Sequence, residues 1–480
     1  MSRLITRRRF IENSLKAAAV APLLAGAGCG APEVSSEREE ASGSMPTFHP
    51  LQTGPVRDFR VVADIGDVEV APGRVYRTWL YNGRFPGEEI RAREGERLRI
   101  TVENRLPEGT TIHWHGVPVP NAMDGVPGVT QAPVAPGETF VYEFVAGPAG
   151  SYLYHSHAGM QLDRGLIGSL VVEEATPHVV WDREYTLVLD DFLPGEPRTL
   201  AGGGRGMGMG RGMGMMGMAT PPYAGLLVNG RLPEAAPVFE VRRGERVRLR
   251  LANPSGATTF RVAVAGHRMT VSHADGRPVE PVTVDSLVIG MGERYDVILE
   301  CNNPGMWTLA AAPIEVAAPA ARAFLRYAGV AASTPPEGQA PEGLRAGRSL
   351  RLEDLASVEM TGGASARPDR NEDLLLSGGM MSSAWTINGQ AYPNAAPIEV
   401  RQGERVRFRM TNHSMMLHPM HLHGHFFRVG RALKDTVIVP PHMGRVDFDF
   451  VADNPGSWLF HCHNLYHMES GMARVVRYTA

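Results

Sequence analysis

Three stretches of the chain alternate between charged and apolar residues: Arg97-Leu-Arg-Ile100, Arg246-Val-Arg-Leu249 and Arg405-Val-Arg-Phe408. A period of two marks a β-strand with one face in a core and the other in water. Each stretch leaves a Gly-Glu-Arg turn (Glu94–Arg97, Arg243–Arg246, Gln402–Arg405) and reads as a half-exposed antiparallel strand. Each also follows an Asn-Gly turn, in Tyr81-Asn-Gly-Arg-Phe-Pro-Gly87, Val228-Asn-Gly-Arg-Leu-Pro233 and Ile387-Asn-Gly-Gln-Ala-Tyr-Pro393. The copies recur at roughly 150 residues, the size of one β domain.

A second repeated element differs between its copies. Gly150-Ser-Tyr-Leu-Tyr-His155-Ser-His157 aligns with Gly456-Ser-Trp-Leu-Phe-His461-Cys462-His463, whereas the middle copy reads Gly305-Met-Trp-Thr-Leu-Ala310-Ala-Ala312. The middle domain is therefore expected to be a spacer that keeps the fold and carries no metal.

Side chains alternate faces along a strand, so His461 and His463 project one way and Cys462 the other. The three cannot all bind one ion. The same spacing of two places His113 and His115, His155 and His157, and His421 and His423 on common faces. His418, three residues before His421, has the opposite parity and is expected to join Cys462. This sorting leaves His418, Cys462, His467 and Met472 for one site. It leaves His113, His115, His155, His157, His421, His423, His461 and His463 for another. Eight imidazoles are too many for one ion and suit about three, with room for a small molecule. They come four from each outer domain, so the outer domains are expected to touch.

A single His-x-His pair is most often a surface pair or a satisfied core pair. Four clusters, one with a cysteine, in a chain with only six further histidines, argue for metal. Structural zinc favours a closed tetrahedron, often with paired cysteines. A single thiolate with two imidazoles and a late methionine is the ligand set of a blue-copper electron-transfer site.

Composition narrows the setting. A chain of 480 residues is too long for one core, so two or three domains are expected. With 43% hydrophobic and 21% charged residues and a net charge of −3, it offers no basic field for nucleic acid. Its 54 glycines and 37 prolines favour short strands and turns. Lys16 and Lys434 are the only lysines, which reads as codon bias. Of three cysteines, Cys29 lies near the N-terminus, Cys462 is a candidate ligand and Cys301 reads as a small buried hydrophobe.

The N-terminus reads as an export signal. Thr6-Arg7-Arg8-Arg9-Phe10-Ile11 resembles a twin-arginine motif, and the apolar stretch 17–28 is far short of the ~20 residues that span a bilayer. Ala25-Gly26-Ala27 resembles a signal-peptidase site. Gly26-Ala27-Gly28-Cys29 resembles a lipobox lacking its usual leucine, in which case Cys29 would carry a lipid and residues 1–48 would comprise signal and polar tether. Periplasmic or cell-surface placement, as a monomer, is expected.

The four clusters, in this order and spacing, resemble the signature of the multicopper oxidases, the family of laccases and bacterial cuprous oxidases, over about residues 50–480. The resemblance implies an all-β chain of three consecutive cupredoxin-like Greek-key β-sandwich or barrel domains. They are placed at 50–175, 180–330 and 375–480, with 331–373 a long connection over the surface and one short helical turn around 464–470. It implies four copper ions. Type 1 copper falls to His418, Cys462 and His467 with Met472 axial, and type 2 copper to His113 and His421. One type 3 ion falls to His115, His155 and His463 and the other to His157, His423 and His461. The activity implied is one-electron oxidation of a donor coupled to four-electron reduction of dioxygen to water, with Cys462 joining the two stages through its neighbours. Asp124 stands where related enzymes place an acid beside the cluster. Glu469 lies in the last ligand loop, one position after the glutamate of copper-efflux oxidases, where this chain has Met468.

The electron donor is less legible. Met207, Met209, Met213, Met215, Met216 and Met218 lie in a Gly- and Arg-rich loop that cannot form a helical or strand face, so they read as soft ligands for Cu(I). Met416, two before His418, resembles a methionine that helps bind Cu(I) in copper-efflux oxidases, but their aspartate two positions earlier is Ser414 here. The leading expectation is an oxidase of Cu(I) that also accepts phenols and aromatic amines, serving copper tolerance. The alternatives are a general laccase with an incidental methionine loop, a copper-sequestering exported protein, or a metal-free structural relative. A complete ligand set speaks against the last.

Overall fold

The computed structural model describes residues 54–479 apart from 199–220, 332, 337–338, 361–366 and 380–383. Twin arginines, Cys29 and the methionines at 207–218 lie outside the described residues. Among the described residues the chain is almost wholly β, and its one α-helix is α1 (Leu465–Glu469), N-capped by the Asn464 side chain.

Three domains follow one another, each a pair of sheets. The first has Arg74–Tyr81, Val56–Ala71, Arg97–Asn104 and Thr139–Val145 in one sheet and Ile90–Arg93, Ile167–Glu173, Gly150–His155 and His113–His115 in the other. The second and third each have one six-stranded and one five-stranded sheet. The Asn-Gly turns are built alike. Asn82, Asn229 and Asn388 take φ of 52°, 49° and 55°, a left-handed conformation that asparagine tolerates. Their side-chain oxygens accept from the backbone of Val62, Val188 and Leu375 at 2.7, 2.7 and 2.6 Å.

Pairing is mixed rather than purely antiparallel. In each domain the first strand runs parallel to the Arg-x-Arg strand, as in Val56 opposite Arg97, Arg183 opposite Val247 and Arg370 opposite Val406. The strand after each Asn-Gly turn also runs parallel to the domain's last strand. A Greek key is antiparallel throughout, so these parallel pairs lie outside that motif and join strands far apart in the chain.

Two other expectations change. The Arg-x-Arg strand is half-exposed in the outer domains, but Arg248 and Arg250 in the middle one are buried. The first domain covers them: Arg250 donates to Ser151 Oγ at 2.8 Å, and both arginines pair with Asp296. The third domain begins at Arg370 instead of 375, because Arg370–Ser377 is its first strand despite a charged start. The connection before it does not merely cross the surface. Ser349 bridges to Ser286, Ser357 to Val279 and Ala356 to Arg431, and Leu355 is buried in the shared core of the last two domains.

Candidate metal centres

In the first domain His113–His115 runs antiparallel to Gly150–His155, with His113 opposite His155. In the third, His418–Leu422 runs antiparallel to Ser457–Cys462, with His421 opposite His461. These two strand pairs bring eight buried imidazoles together from the two outer domains. His113 stacks on His423 and His115 on His421, each with ring centroids 3.8 Å apart. Ligand nitrogens of His157, His423 and His461 converge, as do those of His113, His421 and His423 and those of His113, His115 and His155. His463 lies 4.8 Å from the His115 ring and 5.3 Å from that of His155.

The rings are aimed by their outer nitrogens. Nδ1 of His113, His155, His421 and His461 donates to the carbonyls of Asp124, Ser156, Asp435 and Cys462 at 2.9, 3.0, 2.8 and 2.9 Å. Each such bond turns Nε2 inward with its lone pair free. His115 is reversed: its Nε2 meets Thr436 Oγ1 and Asp435 Oδ1, both at 3.2 Å, leaving Nδ1 inward. Seven nitrogens remain without a hydrogen-bond partner: Nε2 of His113, His155, His157 and His421, Nδ1 of His115, and both nitrogens of His463. A dry unpaired polar atom costs roughly 1–3 kcal/mol, so seven together fit bound cations. Burial and the neighbouring rings hold His115, His155, His157, His423, His461 and His463 well below the usual imidazole range. Neutral imidazoles are what a metal ion needs.

A second group sits on the opposite face of the same strand. His418 Nδ1 lies 3.5 Å from Cys462 Sγ, His467 Nδ1 lies 3.6 Å from it, and the two nitrogens are 3.2 Å apart. Burial drives the His418 imidazole down to about 3 and pushes the Cys462 thiol up. Met472 is fully buried, its backbone N–H donating to His467 O and its carbonyl accepting from Cys462 N at 2.9 and 3.0 Å. This donor set fits copper as the sequence proposed.

Asp124 is fully buried and its carboxylate accepts from His423 Nδ1 at 3.0 and 3.1 Å. Glu469 closes α1 and makes no hydrogen bond to the clustered histidines among the described residues; burial raises its carboxyl. Met416 is half-buried, its carbonyl accepting from Asn412 Nδ2 at 2.7 Å. His425, two residues after His423, is a satisfied core residue bonded to His423 O and Tyr478 OH.

Three contributors escaped the sequence reading, and a fourth, Ser414, figured there only as a departure from the aspartate. Ser414 Oγ accepts from His418 Nε2 at 2.7 Å, so the serine holds this imidazole despite replacing an aspartate. Trp385 packs on His467 with ring centroids 3.9 Å apart. Asp435 meets His115 and His421, and Arg294 of the middle domain meets Asp435. The middle domain is thus more than a spacer. No local motif marks these residues; the one signal was the rarity of Lys434, one of only two lysines, next to Asp435, and the structure buries it against Asp275 and Glu293.

Three family models, each described as multicopper oxidase, match residues 64–177, 183–330 and 366–480. The chain is 36% identical to multicopper oxidase MmcO of Mycobacterium tuberculosis, over 98% of this chain and 97% of that protein. It is 28% identical to copper resistance protein A of Escherichia coli, over 82% and 88% of the two chains. The solved laccase of Botrytis aclada matches with a TM-score of 0.76 and 26% identity, over 88% of each chain. The chain belongs to the multicopper oxidase family and is an oxidoreductase that uses copper as cofactor and oxygen as acceptor.

Proposed function

We propose that this oxidase takes electrons from Cu(I), and also from phenols and aromatic amines, and serves copper tolerance. The observation that carries the cuprous reading is a pair of loops beside Ser414, the residue bonded to His418. Among the described residues, Met415 and Met443 are the two exposed methionines, at 39% and 52% exposure. Their loops are tied together, His442 N donating to Ser414 O at 3.0 Å and Met443 N to Asn412 O at 2.8 Å. Thioethers in water are poor packing elements but good ligands for a soft cation. Ser414, within this pair of loops, bonds directly to His418. The six methionines at 207–218 add a second soft region, and the similarity to a copper resistance protein agrees.

His418, Cys462 and His467, with Met472 axial, would hold type 1 copper; His113 and His421 would hold type 2. His115, His155 and His463 would hold one type 3 ion, and His157, His423 and His461 the other. Bound there, copper would supply reversible one-electron storage on one face and four-electron reduction of dioxygen on the other. The chain supplies the link. Cys462 is covalently joined to His461 and His463, and its carbonyl accepts the His461 Nδ1–H, giving a bonded and a hydrogen-bonded route between the groups. Asp124 holds His423 and lies within the cluster's wall, where it can pass protons toward reduced oxygen. Trp385 covers His467 and keeps water from it.

Deleting 202–218 and, separately, replacing Met415 and Met443 by Leu tests the donor. Cu(I) turnover should fall in both variants while phenol turnover holds; equal loss of both activities, or of neither, removes the cuprous reading. Similarity to a laccase favours the second reading, a general laccase, and the same comparison decides it. We further propose export by the twin-arginine route with Cys29 as a lipid anchor. Arg7→Lys with Arg8→Lys should strand the enzyme in the cytoplasm, and unchanged export would refute that.

A further inference from the structure

Among the described residues the middle domain supplies none of the clustered imidazoles, yet one of its side chains lies behind the cluster. Arg294 is fully buried and touches all three domains. Its Nε donates to Ser151 O of the first domain at 3.1 Å, and Nη1 donates to Gly292 O of its own at 2.9 Å. Both terminal nitrogens grip Asp435 of the third domain, Nη1 to Oδ1 at 2.7 Å and Nη2 to Oδ2 at 2.6 Å. The guanidinium lies over the Tyr152 ring, and Arg294 N donates to Asp275 Oδ1 at 2.9 Å.

Asp435 is the far side of this clamp. Its Oδ1 stands 3.2 Å from His115 Nε2, its carbonyl accepts from His421 Nδ1 at 2.8 Å, and Thr436 Oγ1 touches both rings at 3.2 Å. The fit is close. A Cβ on Gly116, next to His115, would stand 2.4 Å from Arg294 Nη2; one on Gly292 would stand 2.8 Å from the His463 ring and 2.9 Å from that of His115. His115, His421 and Asp435 also converge closely enough to share one metal ion. A bidentate guanidinium occupies both carboxylate oxygens, which leaves the carboxylate to orient imidazoles instead of binding metal itself. Without that partner, Asp435 would be an uncompensated buried charge beside neutral rings.

We infer that Arg294 is a positioning residue for the cluster: through Asp435 it fixes His115 and His421, so copper held between the outer domains depends on the ligand-free middle one. The inference rests on the ligand assignment above but not on the identity of the electron donor.

The test uses copper-loaded Arg294→Gln, Arg294→Lys, Asp435→Asn and the double variant. Copper per chain, type 2 electron paramagnetic resonance, blue absorbance and release to a chelator would be followed, with thermal unfolding of each copper-free form. Arg294→Gln should retain cluster copper roughly 10–100-fold less tightly, as loss of a residue that orients a metal ligand commonly does. The blue absorbance should persist. Asp435→Asn should reproduce the loss, and the double variant should be no worse than either single one. Arg294→Lys keeps the charge but cannot grip both oxygens and Ser151 together, so it should restore only part. Folded Arg294→Gln with wild-type retention and an unchanged type 2 signal would overturn the inference. If the Gln variant does not fold, a wild-type type 2 signal in Arg294→Lys would do so. Parallel loss of blue and cluster copper, tracking a drop in unfolding temperature, would reduce Arg294 to a structural residue and also overturn it.

Discussion

The strand pairs Phe260–Val264 with Met306–Pro313 and His418–Leu422 with Ser457–Cys462 are two editions of one structure. Ala263 faces Ala310 in the middle domain where His421 faces His461 in the third, and Val262 faces Ala311 where Met420 faces Cys462. The scaffolding around them is the same. Trp307 Nε1 donates to Asn303 O and Trp458 Nε1 to Asn454 O, each at 2.7 Å. His267 meets Tyr327 and His425 meets Tyr478, also at 2.7 Å in each case. The middle copy thus folds with no ligand at all. The metal chemistry is carried by a few side chains placed on a fold that stands without them. What the middle domain lost in ligands it replaced with support, since its Arg294 sits behind the cluster.

Several changes would break or sharpen this contrast. Cys462→Ser has the largest expected effect: donor turnover and blue absorbance should fall below detection in oxygen-uptake and absorbance measurements. Asp124→Ala frees His423 and the side-chain contact of His113, and should cut oxygen uptake roughly 10–100-fold, with Asp124→Asn recovering part. Trp458→Ala should destabilise the copper-free protein by about 3–5 kcal/mol in denaturant unfolding. Trp307→Ala should cost less, because Trp307 is only half-buried. Ala310→His puts an imidazole into a packed site with no partner ligands. It should cost about 1–3 kcal/mol and leave the copper count unchanged. Met472→Leu should have the smallest effect, raising the type 1 potential in a redox titration while the blue colour stays.

Much of this was legible in the chain. Alternation in Arg97–Ile100 and its two copies, together with the Asn-Gly turns, marked three β domains, because a period of two and a left-handed turn residue are local requirements. Parity separated His461 and His463 from Cys462 for the same reason. It placed His418 with Cys462 correctly because both lie on strands that pair directly. Legibility ended where contacts cross domains or join residues far apart in the chain. Arg248 and Arg250 carry the same alternation as the outer copies but are buried, because the first domain covers them. Arg294, Asp435 and Trp385 sit far from the motifs they touch, and nothing in their own neighbourhoods announces it. Residues 370–373, the start of the strand Arg370–Ser377, read as connection because they are charged and their strand partner is 36 residues away, Arg370 against Val406.

Two separate ligand groups share one strand and are joined through Cys462. Copper analysis and electron paramagnetic resonance of Cys462→Ser test it most directly. The variant should lose one copper per chain from a wild-type content of four, with the blue signal gone and the type 2 signal retained. Loss of all four ions together, or persistence of the blue signal, would contradict it.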